Sequence, residues 1–221
     1  MVNVFERKFD RDPKLREDFQ VLLLQDVQHA KMNFDSVLPF YYLSLSTIHW
    51  TPVEVVLFVA EFLRDLPLNS KILDIGSGCG KFCLILSYLL PNKIYGIEQR
   101  MDLFQVAEKM RIANNVRNVE YLNMNMMDIQ DWNQYDVFYL FNPFQEHIND
   151  FKLMRIDDSL VFDKLYYLQY TTEVIRRLSC LKKGTKLITF HGFGGVLPNS
   201  WKLQISKSFD GGDLSLWEKI E

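Results

Sequence analysis

The stretch that most constrains this chain is Lys71-Ile72-Leu73-Asp74-Ile75-Gly76-Ser77-Gly78-Cys79-Gly80-Lys81-Phe82. A short apolar run, then glycine at three alternate positions, then a new apolar run reads as strand, tight turn and helix start. Glycine permits positive φ and lets a ligand approach the backbone closely. The opening turn of the helix offers unpaired N–H groups and the positive end of its dipole, which suit a carboxylate or phosphate. A strand that feeds a helix in this way belongs in a parallel sheet with helices packed on it.

The rest of the chain repeats that rhythm. Helix Lys81 to Leu90 leads to a strand at Lys93 to Glu98, and helix Asp102 to Asn114 to a strand at Asn118 to Leu122. A nearly all-apolar strand, Tyr135 to Phe141, precedes a helix from about Val161 to Leu181. Lys182-Lys183-Gly184 supplies a cationic, glycine-terminated stop for that helix. Thr185 to Phe190 is the fifth strand. Trp201 to Phe209 and Leu214 to Ile220, flanking Asp210-Gly211-Gly212-Asp213, read as an antiparallel hairpin. The expected fold is therefore α/β: a Rossmann-like, seven-stranded, mostly parallel sheet with a C-terminal antiparallel hairpin and helices on both faces.

Residues 1–68 read differently. Asp12-Pro13 followed by Leu15, Phe19, Leu22, Leu23 and Val27 has helical spacing. An aromatic loop from Asn33 to Trp50 follows. Thr51-Pro52-Val53-Glu54 forms a capping box that opens a helix through about Leu66. The expected organisation is an N-terminal helical extension or cap, 1–68, on a ligand-binding domain, 69–221.

Composition excludes several classes. The 221 residues carry a net charge of -3 and a pI of about 5.8, whereas gripping nucleic acid through its phosphates favours a basic face. Arg7, Lys8, Arg11, Lys14 and Arg16 alternate with acids, and the densest basic run, Arg176 to Lys186, follows the end of a helix. Cys79, Cys83 and Cys180 suggest neither a disulfide framework nor a metal site, and fit a reducing, cytoplasmic compartment. No apolar run reaches the roughly 18 to 20 residues that a membrane span needs. A charged start, Met1-Val2-Asn3-Val4-Phe5-Glu6-Arg7-Lys8, does not suit a signal peptide.

The glycine turn separates two ligand classes. A dinucleotide fingerprint places its third glycine where this chain has Lys81. A small ligand with an anionic end fits the turn better. The string Asp74-x-Gly76-x-Gly78-x-Gly80 resembles motif I of the class I S-adenosylmethionine-dependent methyltransferases, and the terminal hairpin resembles theirs too. The resemblance covers roughly Lys71 to Ile220. It implies a fold that binds S-adenosylmethionine through Asp74, Gly76, Ser77, Gly78 and Gly80, with Glu98 accepting from the ribose hydroxyls. It also implies an adenine contact within Asn123-Met124-Asn125-Met126-Met127-Asp128, by Asn125 or by Asp128 three later, with Met126 or Met127 packed on the ring. The family often has Asp where this chain has Asn125.

Ligands of such sheets sit at the carboxyl ends of the strands. There Phe141-Asn142-Pro143-Phe144 places a side-chain carbonyl, a proline carbonyl and a ring side by side, suited to holding an –NH2 group toward a methyl donor. The string resembles the Asn-Pro-Pro-Tyr/Phe motif of amino-methyltransferases, with one proline missing. Asn142, Pro143 and Phe144 are thus the candidate catalytic residues, and no metal is required. Tyr41, Tyr42, His49 and Trp50 are candidates for a lid, or equally for a packed cap. His49, His147, His191 and Glu146 are candidate proton-transfer groups, and Gly192 to Gly195 a loop around substrate. The expected activity is methyl transfer to an unidentified acceptor, an amine or amide nitrogen of a protein, base or small molecule. A protein or small-molecule acceptor is favoured over bulk nucleic acid. The rival is a non-catalytic module of the same fold that binds a partner protein.

Overall fold

The computed structural model describes residues 43–148 and 155–221. The helix expected after Asp12, together with Tyr41 and Tyr42, lies outside the described residues. Among those described, a short helix α1 (Ser46–His49) and α2 (Val53–Leu63) precede the alternating region. That region runs β1 (Lys71–Ile75), α3 (Lys81–Leu89), β2 (Lys93–Glu98), α4 (Met101–Ala113), β3 (Val119–Asn123), β4 (Val137–Phe141), α5 (Lys164–Ser179) and β5 (Lys186–Phe190). The hairpin β6 (Trp201–Phe209) and β7 (Gly212–Lys219) closes it, and single 3₁₀ turns lie at Met126–Asp128 and Gln145–His147.

The seven strands form one sheet in the order β3-β2-β1-β4-β5-β7-β6. β1 to β5 are parallel, with Ile72 level with Ile94 and Val137. β7 runs against both β5 and β6. The order reverses at β1, so a crevice opens between the carboxyl ends of β1 and β4, where ligands of such sheets bind.

Strand periodicity sorts the core onto two faces. Val137 and Tyr139 join Ile72, Ile188 and Phe190 under α2, α3 and α4. Phe138 and Leu140 join Leu73, Ile75 and Leu187 against Val174 and Leu178 of α5. Phe82 of α3 lies flat on Tyr139, ring centroids 3.7 Å apart, which fixes the helix that follows the glycine turn.

Two local expectations change. Thr51 does not cap α2, whose N-cap is Pro52 with no side-chain hydrogen bond. Its hydroxyl pairs instead with the Tyr139 hydroxyl at 2.9 Å. A buried phenol needs a partner, and α2 ends at Leu63 rather than Leu66. Helix α5 starts at Lys164, because the Asp163 carboxylate accepts from Leu165 N at 2.7 Å and sets the N-terminus there.

Candidate functional site

The glycine turn after β1 is fastened to β2 by backbone. Gly76 N and Ser77 N both donate to the Ile97 carbonyl, at 3.0 and 2.8 Å. Gly78 N donates to Glu98 Oε2 at 3.0 Å, and Arg100 N to Glu98 Oε1 at 2.8 Å. The last residue of β2 thus pins the turn with one oxygen and its own following loop with the other. Gly76, Gly78 and Gly80 all have positive φ. At Gly80 glycine is also needed for space: Tyr121 donates its hydroxyl to the Gly80 carbonyl at 2.9 Å, and a β-carbon would run into that hydroxyl and approach Ala107 Cβ to 2.9 Å.

Glu98 is only 6% exposed. Burial raises its pKa, opposed first by the Arg100 N–H, then by the Arg100 charge and the Gly78 N–H, while Glu146 adds to the rise. Asp74 lies deeper. Burial pushes it up to about 7, against the Cys83 thiol that donates to Oδ2 at 3.4 Å and with the Glu98 charge adding to the rise.

A cavity of about 140 Å³ opens beside the turn. Gly76, Gly78, Glu98, Asn125 and Met126 line it together with Asn142, Pro143 and Phe144, with His49 and Trp50 also on its wall. Of the remaining expected residues, Asp74 and Ser77 line a smaller adjoining space of about 30 Å³ with Lys81. Gly80 lies behind both, packed on Tyr121. Met126, although it lines the cavity, is largely buried in the core.

The β4 turn closes against the β1 turn. A β-carbon at Gly76 would sit 3.0 Å from Pro143 Cβ. Asn142 has φ +40, with its N–H on the Gly192 carbonyl at 3.2 Å and its carbonyl accepting from Gln145 N at 3.3 Å. Phe144, 5% exposed, lies nearly parallel to Tyr170 of α5, centroids 5.1 Å apart. One face of that ring is therefore taken by the protein.

The other candidates separate. His49 lines both spaces, its Nε2 is buried without a partner, and burial, then the Arg100 charge, lowers its pKa to about 4. Glu146 is paired with Arg100 at 2.9 Å and accepts from Ile156 N. His147 packs among Phe162, Tyr166 and Tyr170. His191 stacks on Phe141 at φ +59, and neither it nor Gly192 lines the cavity.

Sequence reasoning gave no role to Arg100, Gln99 or Tyr170, which also line the cavity. Arg100 is 7% exposed and bridges Glu146 and Asp157. An arginine two residues after a strand-ending acid is the one local signal for it; its partners are distant in sequence. Among the described residues no cluster of His, Cys, Asp or Glu could hold a metal, and no helix is long and apolar enough to cross a membrane.

The strand order, the antiparallel β7 and the glycine turn at the switch point define the fold of the class I S-adenosylmethionine-dependent methyltransferases, and this chain has that fold. An RNA methyltransferase from Salinibacter ruber, solved with S-adenosyl-L-homocysteine, superposes with a TM-score of 0.54 at 17% identity, covering 77% of this chain and 94% of that one. A putative methyltransferase from Escherichia coli, yhhF, gives 0.55 at 15% identity, over 78% and 89%. In sequence, the chain is 25% identical over 142 residues to the release factor glutamine methyltransferase of Buchnera aphidicola. That match covers 64% of this chain, which spans about half (50%) of that relative's length. No protein-family model matches the chain.

Proposed function

We propose that this chain is an S-adenosylmethionine-dependent methyltransferase acting on an amine or amide nitrogen. The observation that carries the reading is the meeting of two turns at one cavity, Pro143 packed on Gly76 and Glu98 lining the same space. The residues present fit the cofactor. The turn exposes backbone rather than side chains, the Glu98 carboxylate suits a pair of ribose hydroxyls, and two buried polar atoms beside the turn, Ser77 Oγ and His49 Nε2, lack partners. Such orphans cost stability unless a ligand or water satisfies them. S-adenosylmethionine would supply an electrophilic methyl group on a sulfonium.

The chain's own residues do the rest. Gly76, Ser77, Gly78 and Gly80 shape the seat of the amino-acid end, with Asp74 on the floor of the smaller space. Asn125 and Met126 meet the adenine. The Asn142 side-chain carbonyl and the Pro143 carbonyl hold an acceptor N–H pair and turn the nitrogen lone pair toward the donor. Phe144, braced on Tyr170, keeps that turn in place. Orientation of this kind supplies about 7 kcal/mol or more of a barrier reduction. His49, on the cavity wall, is held neutral by burial and then by the Arg100 charge, which makes it a weak base, so it is a wall residue rather than the group that takes the proton released.

Residues 1–68 act as a cap on the domain 69–221. The described part supports this: the Trp50 ring sits 2.6 Å from where a Gly78 β-carbon would be, and Lys81 Nζ donates to Ser46 Oγ at 3.3 Å. A protein or small-molecule acceptor is favoured over bulk nucleic acid, because the chain carries a net charge of -3. Three unpaired cysteines suit the cytoplasm, the compartment we assign.

Calorimetric titration with S-adenosylhomocysteine tests the reading. The wild type should bind, and Glu98→Ala should bind about a hundredfold more weakly, as loss of a charged hydrogen-bonding group does. Labelled-methyl transfer into fractionated protein and metabolite pools should then fall sharply in Asn142→Ala while ligand affinity holds. A wild type that ignores millimolar ligand returns the chain to the rival reading, a partner-binding module.

A further inference from the structure

The acid that ends β2 and the turn that follows β4 come from strands separated by β1, and one side chain joins them. The main chain of Arg100 is fixed first: its N–H donates to Glu98 Oε1 at 2.8 Å. From that root the guanidinium spreads to two acids. Nη2 donates to Glu146 Oε2 at 2.9 Å, and Nε to Asp157 Oδ1 at 3.2 Å. Glu146 belongs to the 3₁₀ turn Gln145–His147, which follows directly on Asn142-Pro143-Phe144. Its Oε2 also accepts from Ile156 N at 2.9 Å. Arg100, Glu146 and Ile156 all line the cavity together with Glu98. The Arg100–Glu146 pair is nearly dry, its side chains 7% and 15% exposed.

We propose that Arg100 is the positioning residue that couples the cofactor to the acceptor turn: with the cavity filled, its ion pair with Glu146 locks Asn142-Pro143-Phe144 in place. The inference rests on the cofactor reading above and names what the cofactor does to the acceptor side of that site. The physical cause is water. Opening the turn parts Arg100 from Glu146. With the cavity empty, water reaches the separated charges and offsets much of the loss. With a ligand in the cavity, the same opening leaves two charges buried and unsolvated, which costs far more. The ligand therefore favours the closed turn over the open one, and that difference is what coupling requires. Arginine suits the task because its planar fork meets Glu146 and Asp157 with separate nitrogens, whereas lysine carries one ammonium on a flexible stem.

Hydrogen exchange read by mass spectrometry tests this on the full chain, free and saturated with S-adenosylhomocysteine, for the wild type, Arg100→Lys and Glu146→Gln. The reporters are the amides of Gln145, His147 and Ile148, which donate to the carbonyls of Asn142, Phe144 and Gln145 and exchange when the turn opens. In the wild type the ligand should slow them about tenfold, within the range of coupling between two sites. In both variants that slowing should shrink to about twofold or less, while the ligand still slows the glycine turn, Gly76 to Gly80, as it does in the wild type. Arg100→Lys keeps the charge and Glu146→Gln keeps the arginine, so the second decides if the first does not fold. A purely structural role for the pair would speed exchange in the free and bound protein alike and leave their ratio intact. The wild-type ratio retained in either folded variant overturns the inference and leaves the cofactor reading standing. So does a wild-type turn that the ligand does not slow, or a variant that loses the slowing at Gly76 to Gly80 as well. A wild type that does not bind S-adenosylhomocysteine removes the cofactor reading and this inference with it.

Discussion

On the β1–β3 side of the cavity the holding is done by backbone: Gly76, Ser77 and Gly78 give their N–H groups to β2, and Glu98 returns one oxygen to the turn and one to Arg100 N. On the β4–β5 side it is done by rings: Phe144 on Tyr170, Phe141 between Phe190 and His191. Backbone contacts are short-range and leave few alternatives to glycine and an acid. Ring contacts join distant segments and accept several residues of similar shape. The first side is therefore rigid and chemically fixed, and the second is where acceptor preference can change without losing the fold.

Opposite responses to pH would sharpen that contrast most. Asp74, under the backbone-built side, is held at about 7 by burial. In the unfolded chain it ionises near pH 4, so between about 4 and 7 only the folded state keeps the proton. Wild-type stability should fall by about 4 kcal/mol across that window relative to Asp74→Asn, and level off above it. Urea denaturation at a series of pH values reads the difference directly; a flat difference would place an ionised Asp74 beneath the turn.

A pair of glycine substitutions tests rigidity itself. Gly80→Ala forces a β-carbon against Tyr121 and Ala107, both buried, at φ +82, and should cost about 3 kcal/mol in thermal unfolding. Gly194→Ala, after β5, has a similar φ of +85 and meets the hydroxyl end of Tyr167. That side chain can swing away, so the cost should be about 1 kcal/mol, the backbone strain alone. Equal costs would erase the distinction between the two sides.

A further pH response belongs to His49, on the cavity wall. Burial, aided by the Arg100 charge, holds its imidazole at about 4. As pH falls from about 6.5 the unfolded chain takes a proton that the folded one refuses, so wild-type stability should decline toward pH 4. His49→Gln should flatten that decline in melting temperature. Its slope is opposite in sign to that of Asp74, and a rise in wild-type stability over that window relative to the variant would show His49 charged.

The same contrast explains what could be read from the sequence. The turn was legible because Asp74, three glycines and a strand-ending Glu98 lie within a few tens of residues and each has a narrow physical reason to be there. The mostly parallel sheet and its terminal hairpin followed from the alternation of elements; the order of the strands came only with the structure. Asn142, Pro143 and Phe144 were legible as a cluster at a strand end, but not the Tyr170 ring that occupies one face of Phe144. Arg100 stayed hidden because its partners, Glu146 and Asp157, come from loops that only tertiary folding brings near. Thr51 misled for the same reason: its local pattern promised a helix cap, and a phenol 88 positions away took the hydroxyl.

The placement of β7 bears on how such a chain is made. It is the last strand in sequence yet lies inside the sheet, between β5 and β6. β6, although made earlier, pairs among the described residues with β7 alone. During synthesis the outer edge of β5 therefore stays bare, and β6 has nothing to join, until the residues after Gly212 have left the ribosome. The hairpin must dock as a unit, and for that interval β5 presents an open strand edge that a chaperone, or another nascent copy, can occupy first.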